Sequence, residues 1–160
     1  MSKAENYKNE LEKKFDYLKD KIDIKSENRI FTNYLPEEQF RPVLEYLAKE
    51  KGFWQICTIS GMEEEDFYGA IYHLSHEDGT VLSLKLRTKD KKNITIKTVT
   101  EFYAGAELYE RELVDMFGIK VEGLPEGNRY PLPDGWPDGV HPLRKDYIVE
   151  NDLGKKEEVK

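Results

Sequence analysis

The segment Glu107-Leu108-Tyr109-Glu110-Arg111-Glu112-Leu113-Val114-Asp115-Met116-Phe117-Gly118 narrows the choice of folds more than any other part of the chain. On a helix at about 100° per residue, Met116, Tyr109, Leu113, Ala106, Phe117 and Val114 share one arc roughly 160° wide. Glu110 falls inside that arc. A carboxylate on a core-facing stripe is costly unless a cation or several donors meet it. Arg111 lies on the flank, four residues after Glu107 and four before Asp115, so it is placed to bridge both acids. Gly118 is suited to stop the helix in a left-handed conformation.

The segment beyond this helix cannot be regular. From Gly118 to Pro142 the chain holds five of its seven prolines and five of its eleven glycines. Proline fixes φ and donates no hydrogen bond, so neither a helix nor a central strand fits here. Large side chains argue against a loose linker. Residues 119–148 therefore read as an extended arm lying on a surface, anchored by Tyr130, Leu132 and Trp136. The arm closes with His141-Pro142-Leu143-Arg144-Lys145-Asp146-Tyr147. Arg144 is the expected partner for Glu110, with Lys145 the lesser candidate, because a guanidinium can meet a carboxylate with two parallel hydrogen bonds.

The preceding residues read as α+β. Ser2 with Glu5 makes a capping box for a helix from about Lys3 to Lys21, and a second helix is expected over Leu35 to Lys51. Ile22 to Tyr34 suggests one strand or two short ones. Phe53 to Ser60, Phe67 to Ser75, Val81 to Arg87 and Ile94 to Val99 read as successive antiparallel strands of a meander, with Glu77-Asp78-Gly79 as one hairpin turn. In the third, Leu82, Leu84 and Leu86 point inward, and Ser83, Lys85 and Arg87 outward. The result is a two-layer domain, 1–118, with the N-terminal helices on a mainly antiparallel sheet. The arm, 119–148, and a charged flexible tail, 149–160, come after it.

At 160 residues the chain is long enough for one modest core. Its net charge is −7 with no basic stripe, which argues against nucleic acid. No apolar run approaches the ~20 residues needed to span a bilayer, and no signal peptide is visible, so a cytoplasmic chain is expected. Membrane association would come through a partner. Cys57 is the sole cysteine and reads as a small core residue. With no Cys-x-x-Cys pair and three scattered histidines, no cofactor or metal is expected on the chain. The acidic run Glu63-Glu64-Glu65-Asp66 reads as a solvated turn.

Two motifs together carry a resemblance. Glu-Arg-Glu-x-x-Asp-hydrophobic-hydrophobic-Gly-Ile spans Glu110 to Ile119, and about two dozen residues later His-Pro-Leu-Arg-Lys-Asp-aromatic spans His141 to Tyr147. In that order they resemble the hallmarks of the 30-kilodalton subunit of respiratory complex I, also called the C subunit of NADH–quinone oxidoreductase. The likeness covers roughly residues 30 to 147. Quinone-reducing members usually carry Asn-Trp where this chain has Glu107-Leu108, and a His-Pro with an arginine pair where it has Leu124-Pro125-Glu126-Gly127. The stretch Arg129 to Pro137 looks more like homologues in energy-converting membrane-bound nickel–iron hydrogenases and related ferredoxin-dependent archaeal complexes.

The resemblance implies a subunit without a redox centre, peripheral to the membrane. It would dock on the large catalytic-type subunit, beside a neighbouring iron–sulfur subunit. The iron–sulfur clusters and the nickel–iron or quinone site are expected on those partners. Glu107, Glu110, Arg111, Glu112, Asp115, Arg144, Lys145 and Asp146 are the expected ion network. Tyr130, Leu132, Trp136, His141, Pro142 and Tyr147 are the expected docking residues. A carboxylate hydrolase using Glu110, Glu112 and Asp115 is the weaker alternative, because Glu110 and Glu112 diverge by some 160° on the helix. A stand-alone module for a nucleic or acidic partner fails on net charge.

Overall fold

The computed structural model describes residues 2–150 and 156–157. The capping box is present: the Ser2 hydroxyl accepts the Glu5 amide at 3.2 Å, and the Glu5 carboxylate accepts the Ser2 N–H at 2.6 Å. It opens α1 (Lys3–Lys14), which is shorter than the expected helix. Phe15 leaves helical geometry at φ −126°, its ring between Tyr17 and Tyr46, and a 3-10 turn over Asp16–Leu18 brings the fully buried Leu18 into the core. Asp20, at φ 61°, then redirects the chain into β1.

β1 (Ile22–Ser26) and β2 (Arg29–Leu35) form a hairpin, so the two-strand reading of this stretch is the one observed. α2 (Glu37–Lys49) comes after Pro36, and then β3 (Gln55–Glu63), β4 (Tyr68–Ser75) and β5 (Val81–Arg87). The sheet order is β1-β2-β5-β4-β3. β3, β4 and β5 make the antiparallel meander, while β5 lies parallel to β2 with Leu82 opposite Ile30. That parallel pairing fills the last free edge of β5. The expected fourth strand therefore leaves this sheet: β6 (Thr95–Lys97) pairs in parallel with β7 (Lys120–Glu122), just beyond α3 (Ala106–Phe117).

The core lies on one face of the sheet. Leu74, Leu82, Leu84, Leu86 and Tyr72 are fully buried there, and Phe40 of α2 meets the Tyr72 ring at 4.9 Å. α3 crosses β3 at Gly61, where an added Cβ would strike the Phe117 ring and Leu113. Two expectations for side chains differ. Ser83 does lie opposite the leucines but is buried, because the His73 ring covers it and its Nδ1 sits 2.8 Å from the hydroxyl. Cys57 is exposed rather than core, since it falls at a register shift between Ile56 and Thr58 in β3, an edge strand of its sheet.

The arm does not begin as a free segment, for Ile119 is buried and β7 pairs with β6. Of the charged tail, β8 (Val149–Glu150) and β9 (Lys156–Glu157) pair antiparallel, and residues 151–155 and 158–160 lie outside the described residues. The close crossing at Gly61 leads to one expectation. Gly61→Ala, which forces α3 off β3, should destabilise the chain by about 2 kcal/mol in urea unfolding, as overpacking typically does. A change below about 0.5 kcal/mol would mean the crossing yields freely.

Candidate functional site

α3 ends at Gly118, which adopts φ 70°. The last carbonyls of a helix have no partner within it and need one from elsewhere. Here each of the last five is met in turn. Ile119 N–H reaches Leu113 at 3.4 Å and Gly118 N–H reaches Val114 at 2.9 Å. The remaining three are met by the arm. His141 Nδ1 donates to the Asp115 carbonyl at 2.8 Å, Leu143 N–H to Met116 at 3.1 Å, and Arg144 Nε to Phe117 at 2.7 Å. The closing motif is thus a tertiary cap on the signature helix.

Gly118 is needed here for two reasons. A Cβ would be strained at this φ, and it would stand 2.5 Å from both Arg144 Nη2 and His141 Nε2.

The charged residues are brought together in different pairs from those expected. Arg111 does meet Glu107, at 2.9 Å, but it does not bridge to Asp115. Its guanidinium instead lies against Gly127 and donates to the carbonyls of Pro125 and Asn128. The buried Asp115 carboxylate receives Arg129 Nε at 3.0 Å and the Leu132 N–H at 3.1 Å. An acid in the last turn opposes the helix dipole, and Arg129 offsets that cost.

Arg144 does not meet Glu110. The Glu110 carboxylate, fully closed from solvent, accepts the Thr98 hydroxyl at 2.6 Å and the Val99 N–H at 2.8 Å. The physical reason is distance along the helix axis: Arg144 is held at the C-terminal carbonyls, two turns beyond Glu110. Burial pushes the Glu110 carboxyl upward, and the Thr98 hydroxyl, the Val99 amide and Arg41 oppose that shift. Glu112 makes no hydrogen bond or ion pair among the described residues. Lys145 contributes its backbone, donating to Glu63 at 2.6 Å, and Asp146 is exposed.

The arm also presents apolar surface. Trp136 donates its indole N–H to the Val140 carbonyl at 2.9 Å and packs on Tyr147. With His141, Arg144, Asp146 and Ile148 these rings line an open groove of about 590 Å³. Tyr130 (45%) is exposed, and Leu132 and Pro142 are half-buried. Leu143 (53%), one of the large side chains of the arm, and Ile148 (41%) are exposed too, although neither is among the expected docking residues. The side chains of His141 and Arg144 turn inward to cap α3, which is what leaves Leu143 between them facing out.

Residues 33–152 match the family model described as "Respiratory-chain NADH dehydrogenase, 30 Kd subunit". The chain belongs to that family. It is 38% identical over 118 residues to formate hydrogenlyase subunit 5 of Escherichia coli (strain K12), covering 71% of this chain and 20% of that one. It is 35% identical over 117 residues to the C subunit of F(420)H(2) dehydrogenase from Methanosarcina mazei, covering 71% and 73%. Against the C/D subunit of NADH-quinone oxidoreductase from Yersinia pestis the identity is 32%, covering 71% and 21%. The chain therefore spans about a fifth of two of these relatives and most of the third.

Among solved structures, a chain of the membrane-bound sulfane sulfur reductase, an archaeal respiratory membrane complex, superposes with TM-score 0.79 at 28% identity, covering 91% of this chain and 86% of that one. The trypsin-resistant fragment of Nqo5 shares the fold, with TM-score 0.60 at 23% identity, covering 73% and 98%.

The tertiary cap makes a specific expectation. Gly118→Ala should cost about 2 kcal/mol through strain and displacement of Arg144 and His141. It should also raise backbone hydrogen exchange from about residue 129 to 145. In a double-mutant cycle, Asp115→Asn and Arg129→Met should couple by at least about 0.5 kcal/mol, while Glu110→Gln and Arg144→Met should simply add.

Proposed function

We propose that this chain is a docking subunit in the peripheral arm of a membrane-bound, ion-translocating oxidoreductase, seated on the cytoplasmic side. It holds no redox centre and binds the large subunit that carries the catalytic site, beside an iron–sulfur subunit. The observation that carries this reading is the arm. Backbone-directed bonds from α3 fix it along the helix end, and it holds Tyr130, Leu143 and Ile148 out to solvent on an otherwise acidic chain. Fixed, exposed apolar anchors of this kind suit a permanent interface. Tyr130, Leu132, Trp136, His141, Pro142 and Tyr147 form the docking face, and Leu143 and Ile148 extend it. Glu107, Arg111, Asp115 and Arg144 hold that face in place.

A hydrogenase-type, ferredoxin-dependent complex is the favoured setting. Similarity to formate hydrogenlyase subunit 5 supports it, as does the Arg129 to Pro137 stretch, while the sulfane sulfur reductase structure supports an archaeal respiratory membrane complex of either kind. The second reading is a dehydrogenase complex that reduces a quinone or related acceptor. Likeness to the C subunit of F(420)H(2) dehydrogenase, over most of that chain's length, favours it. No helix among the described residues is long and apolar enough to cross a membrane, so attachment through partners accords with either.

The test is co-purification of the tagged chain after gentle detergent extraction. A large subunit with two Cys-x-x-Cys pairs should accompany it, and partial loss of those pairs would point instead to a sulfur- or quinone-linked complex. Tyr130→Ser with Leu143→Ser should release the chain from its complex while changing its own stability by less than about 1 kcal/mol. Retention of the doubly substituted chain in the complex would refute the docking face.

A further inference from the structure

α2 and α3 pack on one face of the five-stranded sheet, through Phe40 on Tyr72 and through Leu113 and Phe117 at Gly61. The opposite face is left open. Phe31, Ile71, Lys85 and Arg87 belong to the three inner strands, β2, β4 and β5, yet each is only half-buried. Register sets them side by side: Phe31 pairs with Ser83 and Ser83 with His73, while Tyr34 pairs with Lys85 and Lys85 with Ile71. The Tyr34 ring lies over Gly69, where an added Cβ would strike it, and meets the Phe67 ring at 5.1 Å. A solvated sheet face ordinarily carries polar side chains. Aromatic and branched apolar groups rimmed by cations mark a contact surface instead.

The cations of this face are unmatched. Arg41, Arg111, Arg129 and Arg144 are each held by a carboxylate or a backbone carbonyl. Among the described residues Arg29 and Arg87 have neither, and Lys85 makes no ion pair. Lys85 Nζ stands 5.4 Å from the Tyr34 ring and 5.8 Å from that of Phe31, and the Arg87 guanidinium 5.8 Å from that of Phe67. Such contacts orient a cation without neutralising it. On the rim stand Asp23, paired in register with Phe31, and Glu64, which accepts the Tyr34 hydroxyl. His73 adds no charge: burial above all, then Arg29 and Lys85, lowers its pKa, and its ring lies between the hydroxyls of Ser83 and Ser60. On a chain of net charge −7, cations without partners thus gather where the helices do not reach.

We infer that this open face is a second docking surface, and that its occupant is an extended acidic segment of a partner protein. Outward residues two apart on a strand stand roughly 7 Å from each other. Lys85 and Arg87 are so placed on β5, and they match carboxylates at alternate positions of an extended segment. The Arg87 guanidinium can meet its carboxylate with two parallel hydrogen bonds. Phe31 and Ile71 supply the apolar floor beside them, and Met62 (42% exposed) continues it onto β3. A nucleic acid is a poorer occupant, because a long polyanion would also meet the acidic remainder of the chain. The surface shares no residue with the arm, so the chain is held between two neighbours.

The test uses the full-length chain labelled with nitrogen-15, and poly-L-glutamate as the probe. Amide shifts should concentrate at residues 69–73 and 83–87 and fade between about 0.01 M and about 0.15 M salt, as the screening length shrinks. Lys85→Glu with Arg87→Glu should weaken binding at least about tenfold, with the melting temperature little changed because both side chains reach solvent. Lys85→Gln with Arg87→Gln serves if the reversal disturbs folding. Tyr130→Ser with Leu143→Ser, which tests the arm, should leave this binding intact, so the two surfaces stand or fail separately. Shifts spread evenly over the chain, or kept by the charge variants, would overturn the proposal. Equal affinity for oligothymidylate or for phosphatidylserine vesicles would overturn it too, as a general attraction to polyanions. In the extracted complex, a carbodiimide should join Lys85 Nζ to an Asp or Glu of another subunit; links only to acids of its own chain would refute the partner. If no subunit co-purifies, the docking reading of the arm fails, while the titration still decides this one.

Discussion

Three backbone carbonyls at the end of α3 decide how the C-terminal third of this chain can lie. Asp115, Met116 and Phe117 each present an acceptor that the helix itself cannot satisfy, and His141, Leu143 and Arg144 supply the donors. Leaving three such groups buried without partners would cost several kcal/mol, enough to threaten a marginally stable domain. The two motifs are therefore one device. Gly118 makes it possible by offering no side chain where His141 and Arg144 must approach.

The sheet imposes a second constraint on the first. Because β2 takes the free edge of β5, the segment after β5 must find another neighbour, and β6 finds it in β7 beyond α3. That pairing holds residues 95–99 close along the helix, where Thr98 and Val99 can reach the Glu110 carboxylate. The cost of burying this acid is thus met by a loop whose position depends on strand order. Helix end and helix middle are served by different segments.

Local signals are legible in the sequence itself. The capping box at Ser2, the stop at Gly118, the meander and the core-facing acid at Glu110 all come from short-range periodicity and spacing. Pairings between distant segments are not legible in that way. Arg144 is the natural partner for Glu110 on charge alone, but a hydroxyl and an amide carry no signature that a sequence pattern can detect. Asp115 escapes Arg111 for the same reason, since a competing arginine fourteen residues beyond Asp115 is invisible to a four-residue rule. Cys57 misleads because an apolar run cannot show where an edge strand will shift register against its neighbour.

If the arm docks as proposed, it gains from being ordered before any partner arrives. Proline removes donors, so the arm cannot stabilise itself by a ladder and must be held from outside. Here the holding groups are the charged and backbone atoms: Asp115 grips Arg129 and Leu132, Arg111 grips Pro125 and Asn128, and the helix end grips His141 to Arg144. Polar groups thus point inward to the helix, and apolar side chains such as Tyr130 and Leu143 are left facing out. An anchor fixed in advance loses less conformational entropy on association than a flexible one, by about 0.5–1.5 kcal/mol for each side chain already immobilised. On the proposed docking, the ion network around α3 would serve binding indirectly, because the ordering cost is met within the fold itself.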